Sequence, residues 1–267
     1  MSAPPTGSLA RRLRLRDAVV IGLGSMIGAG VFAAFAPAAS VAGSGVLVAL
    51  LVAGVIAFCN ATSSAQLAAQ YPTSGGAYVS GRERLGPWVG FTAGWGFVIG
   101  KTASSAAMAM TVAAYLVPEA WQRPVAVAVV LSLTVVNTLG ITRTAFLTRV
   151  LVVVALVALT VVVVLGLTHS GPTADDPGVA ATPLGVLQAA GFLFFAFAGY
   201  ARIATLGEEV VDPARTIPRA VTTALGIALV VYASVALATL HALGPGGTAA
   251  SAAPLRSVVA TLSLIHI

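Results

Sequence analysis

Seven stretches of roughly 20 mostly apolar residues recur along the chain, at roughly 18–41, 45–69, 87–117, 124–141, 146–168, 184–205 and 219–242. A helix of about 20 such residues crosses the roughly 30 Å hydrocarbon core of a bilayer, so the pattern predicts seven membrane spans. The third is long enough to tilt or to begin as an interfacial helix, and an eighth begins near Leu255. Hydrocarbon offers the backbone no competing hydrogen bonds and a helix satisfies its own, so the expected fold class is all-α integral membrane. Composition agrees: 58% of the 267 residues are hydrophobic, 8% are charged, and the mean hydropathy is +0.99. No soluble domain of this length needs so much apolar surface.

The connecting loops sort by charge. One side of the membrane receives Arg11, Arg12, Arg14, Arg16, Arg82, Arg84, Arg143, Arg149, Arg215 and Arg219, whereas the other receives Arg123 among Glu119, Asp175 and Asp176. The excess of arginine on one side places the N-terminus in the cytoplasm, below the inner or plasma membrane. It also accounts for the net charge of +6 without invoking nucleic acid as a partner. Residues 1–17 lack the apolar core of a signal peptide and read as a cytoplasmic tail, with the first span retained. The single cysteine, Cys59, lies in an apolar run, which leaves no disulfide framework and no CxxC signature. His169, His241 and His266 are isolated, so no metal or cofactor is expected. No nucleophile–base pair, phosphate loop or paired carboxylate points to an enzyme.

The first span carries a glycine-rich interruption, Ile21-Gly22-Leu23-Gly24-Ser25-Met26-Ile27-Gly28-Ala29-Gly30-Val31-Phe32. Glycines at this density make a helix easy to unwind, and free backbone groups at membrane depth are tolerated only where they line a cavity or meet a ligand. A second interruption falls at Phe195-Ala196-Phe197-Ala198-Gly199-Tyr200 in the sixth span. Two interrupted spans, five helices apart, point to a secondary transporter with its substrate between them. Because five is odd, the sixth span enters from the opposite side. Residues 18–168 then form a five-helix repeat, and 184–261 open an inverted second one with helices six, seven and the beginning of eight. The competing use of Gly24 and Gly28 is close helix packing, which is the favoured use of Gly90/Gly94 and Gly96/Gly100 in span three. A dinucleotide-binding loop fits poorly, since the glycine after Gly22 and Gly24 falls at 28 rather than 27 and no βαβ unit surrounds it.

Four segments carry a wider likeness: Gly24 to Phe32, Tyr71-Pro72-Thr73-Ser74-Gly75-Gly76-Ala77-Tyr78, Phe194 to Tyr200, and Gly207-Glu208-Glu209-Val210-Val211-Asp212-Pro213 running on to Ala220. In this order and spacing the chain resembles the amino acid–polyamine–organocation (APC) superfamily of amino acid permeases over almost its whole length. The resemblance implies a LeuT-like inverted-repeat fold with discontinuous helices 1 and 6, here with about seven transmembrane helices of an expected twelve. It implies a secondary carrier that imports amino acids by alternating access, rocking spans one, two, six and seven against the rest. Amino acid and protons would be its partners within the lipid bilayer. An amino acid/amine exchanger, or a nontransporting membrane sensor with the same fold, are the alternatives. By the same resemblance Ser25, Ile27, Gly28, Ala29 and Gly30 face the substrate from helix one, and Phe195, Ala196, Phe197 and Gly199 from helix six, with Phe195 as an aromatic gate. Backbone N–H groups and the positive end of a half-helix suit a carboxylate, and freed carbonyls suit an ammonium. The ending Leu262-Ser263-Leu264-Ile265-His266-Ile267 looks like a translated transposon adapter from DNA library preparation, so 262–267 is expected to be a non-native tail on a truncated frame.

Charges within the spans complete the candidates. Lys101 lies in span three, at a depth where an ammonium without partner or water is costly. It is a candidate for proton coupling, for a structural pairing or for substrate recognition. Proton coupling is preferred over sodium, since Lys101 offers a fixed cation. Arg202 follows the second interruption and either pairs with Glu208 or Glu209 or closes an inner gate with them. Asp212-Pro213 and Ile217-Pro218 predict an extended, turning loop before span seven. Asn60, Ser63, Ser64 and Gln66 make span two mildly polar, as helix–helix hydrogen bonding requires. A neutral amino acid is the favoured substrate, because no acidic side chain faces the site.

Overall fold

The computed structural model describes residues 13–71, 75–138, 141–168 and 178–263. Arg11, Arg12, Pro72, Thr73, Ser74, His169, Asp175, Asp176, His266 and the rest of 264–267 lie outside these, as does the Arg143 side chain.

Twelve α-helices follow in the order α1 (Leu15–Met26), α2 (Ala29–Ala33), α3 (Phe35–Ala42), α4 (Val46–Gln70), α5 (Ala77–Leu85), α6 (Pro87–Leu116), α7 (Glu119–Thr138), α8 (Ile141–Thr168), α9 (Pro183–Phe197), α10 (Ala201–Ala204), α11 (Pro213–Ala250) and α12 (Pro254–Ser263). Short 3₁₀ turns, Gly43–Gly45 and Ala198–Tyr200, join α3 to α4 and α9 to α10. Among the described residues, seven helical stretches are long and apolar enough to cross a membrane. Span one is α1 to α3, span two α4, spans three to five α6, α7 and α8, span six α9 with α10, and span seven α11. Gly43 ends span one at φ +50°, where an added Cβ would overlap the Val179 carbonyl, so the position requires glycine.

Two of the helix starts that fall earlier than the sequence predicts lie at prolines. α7 begins at Glu119 rather than 124, because Pro124 in its second turn forfeits a single backbone bond. α11 begins at Pro213 rather than 219, which corrects the expected extended loop through Ile217 and Pro218. Asp212 turns the chain in the left-handed region (φ 49°, ψ 65°), and Pro213 takes the first helical position, where its missing N–H forfeits nothing. At the far end Gly244 (φ 68°, ψ 171°) breaks α11 just before Pro245, close to the expected end of span seven.

Small residues set how these helices pack. Ala49, Ala53, Ala57, Ala61 and Ala65 form a fully buried seam along α4, and Ala220, Ala224 and Ala228 do the same on α11. Such seams let backbones approach closely, which in lipid replaces the hydrophobic drive available in water. The closest packing joins spans one, two, six and seven: α4 lies against α9 and α11, and α11 against α1 and α3. Spans three and four pack mainly on each other, with α5 folded against α6, and reach the first group through α2. Ahead of α1, Leu13 pairs with the loop after span six, donating to the Glu209 carbonyl at 3.0 Å and accepting from the Val211 N–H at 2.9 Å.

Candidate substrate-binding site

In span one α1 ends at Met26 and α2 begins at Ala29. After Met26 the backbone leaves the helical region at Ile27 (ψ 67°) and Gly28 (φ −131°, ψ −143°), and α2 resumes at Ala29. Gly28 donates its N–H back to the Met26 carbonyl at 2.8 Å, and no side chain caps the start of α2. A Cβ on Gly28 would meet nothing within 4 Å, so this edge of the interruption faces open space. Ser25 is exposed beside it, its hydroxyl donating to the Ile21 carbonyl at 3.0 Å, whereas Ile27 is buried. The neighbouring glycines serve packing: a Cβ on Gly22 would overlap Ile203, and one on Gly24 would lie 2.8 Å from Val152.

Span six changes more gently. Instead of unwinding, it tightens from α9 into the 3₁₀ turn Ala198–Tyr200 and continues as α10. The tighter turn keeps the backbone bonded through i→i+3 pairs while re-aiming the helix. Its small residues lie directly on span one: Gly199 meets the Ser25 carbonyl and the Met26 nitrogen so closely that a Cβ would overlap them, and Gly30 meets the Ala196 backbone in the same way. Ser25, Gly30, Ala196 and Gly199 are thus brought together. Phe195 is 39% exposed on the last turn of α9, whereas the Phe197 side chain is fully buried. Phe197 packs against the Tyr232 ring with centroids 5.0 Å apart, pointing into the bundle.

Tyr232, in the middle of α11, joins the two interruptions. Its buried hydroxyl lies 2.5 Å from the Met26 carbonyl and 2.9 Å from the Ala196 carbonyl, so one proton is shared between acceptors from spans one and six. Tyr232 belongs to no motif in the sequence. The available signal was its register, four residues after Ala228 on the alanine seam, where a polar-tipped ring can reach only a neighbouring helix. Tyr115, likewise outside any motif, donates to the Phe32 carbonyl at 3.1 Å and meets the Phe32 ring edge-on at 5.6 Å, tying span three to α2.

The charged candidates gather elsewhere. A cavity of about 620 Å³ lies between α4, α5, α6 and α10, on the side of the arginine-bearing loops, and Lys101, Arg202 and Glu209 all line it. Asn60 and Ser64 of span two, with Tyr78 and Tyr200, are among its other polar groups, a use beyond helix–helix bonding. The Lys101 ammonium sits 5.7 Å from the Phe97 ring centroid, one helical turn away. Arg202 donates to the Thr205 hydroxyl at 3.2 Å and makes no ion pair with Glu208 or Glu209 among the described residues. Of the span-three glycines, Gly90 and Gly94 pack tightly against Arg82 and Tyr78 of α5, whereas Gly96 and Gly100 meet nothing within 4 Å.

Comparison with known proteins bears on this architecture. The amino acid permease family model matches residues 17–259. An uncharacterized transporter of Mycobacterium tuberculosis is 65% identical over 92% of this chain and 56% of its own length. Cationic amino acid transporter 7 of Arabidopsis thaliana is 27% identical over 86% of this chain and 44% of its own. The branched-chain amino acid permease BcaP of Bacillus subtilis is 24% identical, with 85% and 54% covered. The chain therefore spans about half the length of the curated relatives it matches. With seven helices able to cross a bilayer and a family match across nearly its whole length, the chain is a multi-span membrane protein that belongs to the amino acid permease family.

Proposed function

We propose that the protein carries amino acids into the cell across the plasma membrane by alternating access, coupled to protons. The observation that carries this is the abutment of Gly30 on Ala196 and Gly199 on Ser25, with the Tyr232 hydroxyl spanning both interruptions. A carrier needs backbone polar groups at membrane depth that are held in place yet reachable, and Ser25 with Gly28 forms an open edge of that kind. The uncapped start of α2 suits the substrate carboxylate, and backbone near Phe195 and Gly199 suits the ammonium. Ile27, Ala29, Ala196 and Phe197 hold the backbone of the site, and Phe195 covers it.

Residues 18–168 then form the first repeat and 184–261 the beginning of the inverted second, with the N-terminus in the cytoplasm. The tight packing of spans one, two, six and seven, and the light contact of spans three and four with them, suit a bundle that rocks as one body. Lys101 carries the exchangeable proton, and Arg202, Glu208 and Glu209 lie along the inner opening.

The test is uptake of a radiolabelled amino-acid mixture by proteoliposomes, with and without an inward proton gradient. Uptake that requires the gradient and disappears in Lys101→Ala is the expected result. Uptake indifferent to the gradient but accelerated by internal amino acids makes the protein an exchanger and removes proton coupling. No uptake by folded protein removes the carrier reading.

A further inference from the structure

The cavity that gathers Lys101, Arg202 and Glu209 adjoins the crossing of spans one and six at Tyr200, and its charges do not cancel. Lys101 stands at the midpoint of the 30-residue helix α6, where an uncompensated ammonium costs roughly 3 kcal/mol on insertion scales. A cation kept at that depth marks a functional pathway by default. Its contact is the Phe97 ring, and no carboxylate pairs with it among the described residues. Arg202 spends one N–H on Thr205, and its other donors have no acceptor among the described residues. Glu209 supplies the single acidic side chain in the lining. Two cations against one acid leave the cavity one positive charge in excess. Its volume, about 620 Å³, falls in the range that holds a small ligand.

Resting on the reading of the chain as an amino acid carrier, we infer that this cavity is a carboxylate-accepting vestibule on the arginine-bearing side, and that its charge excludes cationic amino acids. A substrate leaving the crossing presents its carboxylate to Lys101 and Arg202, while Asn60, Ser64 and Tyr200 solvate the remainder. Neutral and acidic amino acids meet complementary charge. Lysine or arginine brings a second positive charge into a cavity that already holds one in excess, and the like charges repel.

The test is equilibrium binding to the purified protein in detergent, which needs neither flux nor a gradient, with L-leucine, L-glutamate, L-lysine and L-arginine as probes. The wild type is expected to bind leucine or glutamate about tenfold or more tightly than lysine or arginine, a ratio equivalent to about 1.4 kcal/mol. Lys101→Met is expected to narrow that ratio to within about threefold, and Lys101→Arg to retain it, since the charge stays in place. A thermal melt of each variant checks folding, and Arg202→Gln provides a second route to the same charge. Lysine binding as well as leucine in the wild type, or a ratio unmoved by both Lys101→Met and Arg202→Gln, overturns the vestibule while leaving the carrier reading intact. Failure of all four probes to bind folded protein overturns both.

Discussion

Replacing Tyr232 by phenylalanine removes one oxygen and leaves everything else in place, because the ring keeps its packing against Phe197. Two carbonyls, Met26 and Ala196, lose their shared donor. Met26 retains the Gly28 N–H at 2.8 Å, so its loss is partial. A buried acceptor left unsatisfied costs about 1–3 kcal/mol in general, and side-chain hydrogen bonds between membrane helices average about 0.6 kcal/mol and reach about 1.7. Combining these, Tyr232→Phe is expected to destabilise the protein by about 1–2 kcal/mol, a factor of about 5–30 in the folded ratio. Unfolding by SDS in mixed micelles measures the stability, with the exposed Tyr78→Phe as a control that should stay within about 0.5 kcal/mol of wild type. The substrate affinity of Tyr232→Phe should fall as well, since the two interruptions are no longer held in register. A Tyr232→Phe protein as stable as the Tyr78→Phe control would refute the reasoning, because the shared proton would then contribute nothing to joining spans one and six.

Gly199→Ala pushes a methyl group into the Ser25 carbonyl, and overpacking of that kind costs about 1–3 kcal/mol; Gly100→Ala, whose Cβ meets nothing within 4 Å, should be neutral or slightly stabilising in the same unfolding assay. Tyr115→Phe removes the donor to the Phe32 carbonyl, so amide exchange across residues 29–36 should accelerate by about threefold to tenfold, as a loss near 1 kcal/mol implies, with no change in Tyr78→Phe. Lys101→Ala should abolish the uptake that an inward proton gradient drives, read in proteoliposomes at fixed membrane potential.

The seven spans were legible because about 20 apolar residues in a row admit few alternatives. The starts of α7 and α11 were not, because a proline in the first turns of a helix reads on paper as a loop. In span one Gly28 lies at the edge between α1 and α2 with open space beside it, whereas Gly22 and Gly24 serve packing, a difference that spacing alone does not carry. In span six the same kind of sequence gave only a tightened turn: Gly199 there serves close approach to Ser25, and a helix can provide that without unwinding. Sequence spacing could not assign Arg202 to Thr205 rather than to the acids six and seven residues on, since that depends on how α10 ends. Nor could it bring Lys101 to the same cavity as Arg202, because the two lie three spans apart in sequence and meet only through packing. Tyr232 was hidden for the same reason: its acceptors are backbone atoms of two other spans, and backbone atoms leave no mark on composition.

The most direct measurement of the central claim is substrate protection at the open edge of span one. Cys59 is exposed and must first be replaced by alanine, after which Ser25→Cys introduces a thiol beside Gly28. Its rate of alkylation by a small maleimide is followed with and without saturating amino acid, on protein shown to bind that amino acid. An amino acid seated between spans one and six should slow the reaction several-fold, while a thiol introduced at the lipid-facing Val55 should be unaffected. Equal rates at Ser25→Cys with and without bound amino acid would contradict the account and place the substrate elsewhere in the molecule.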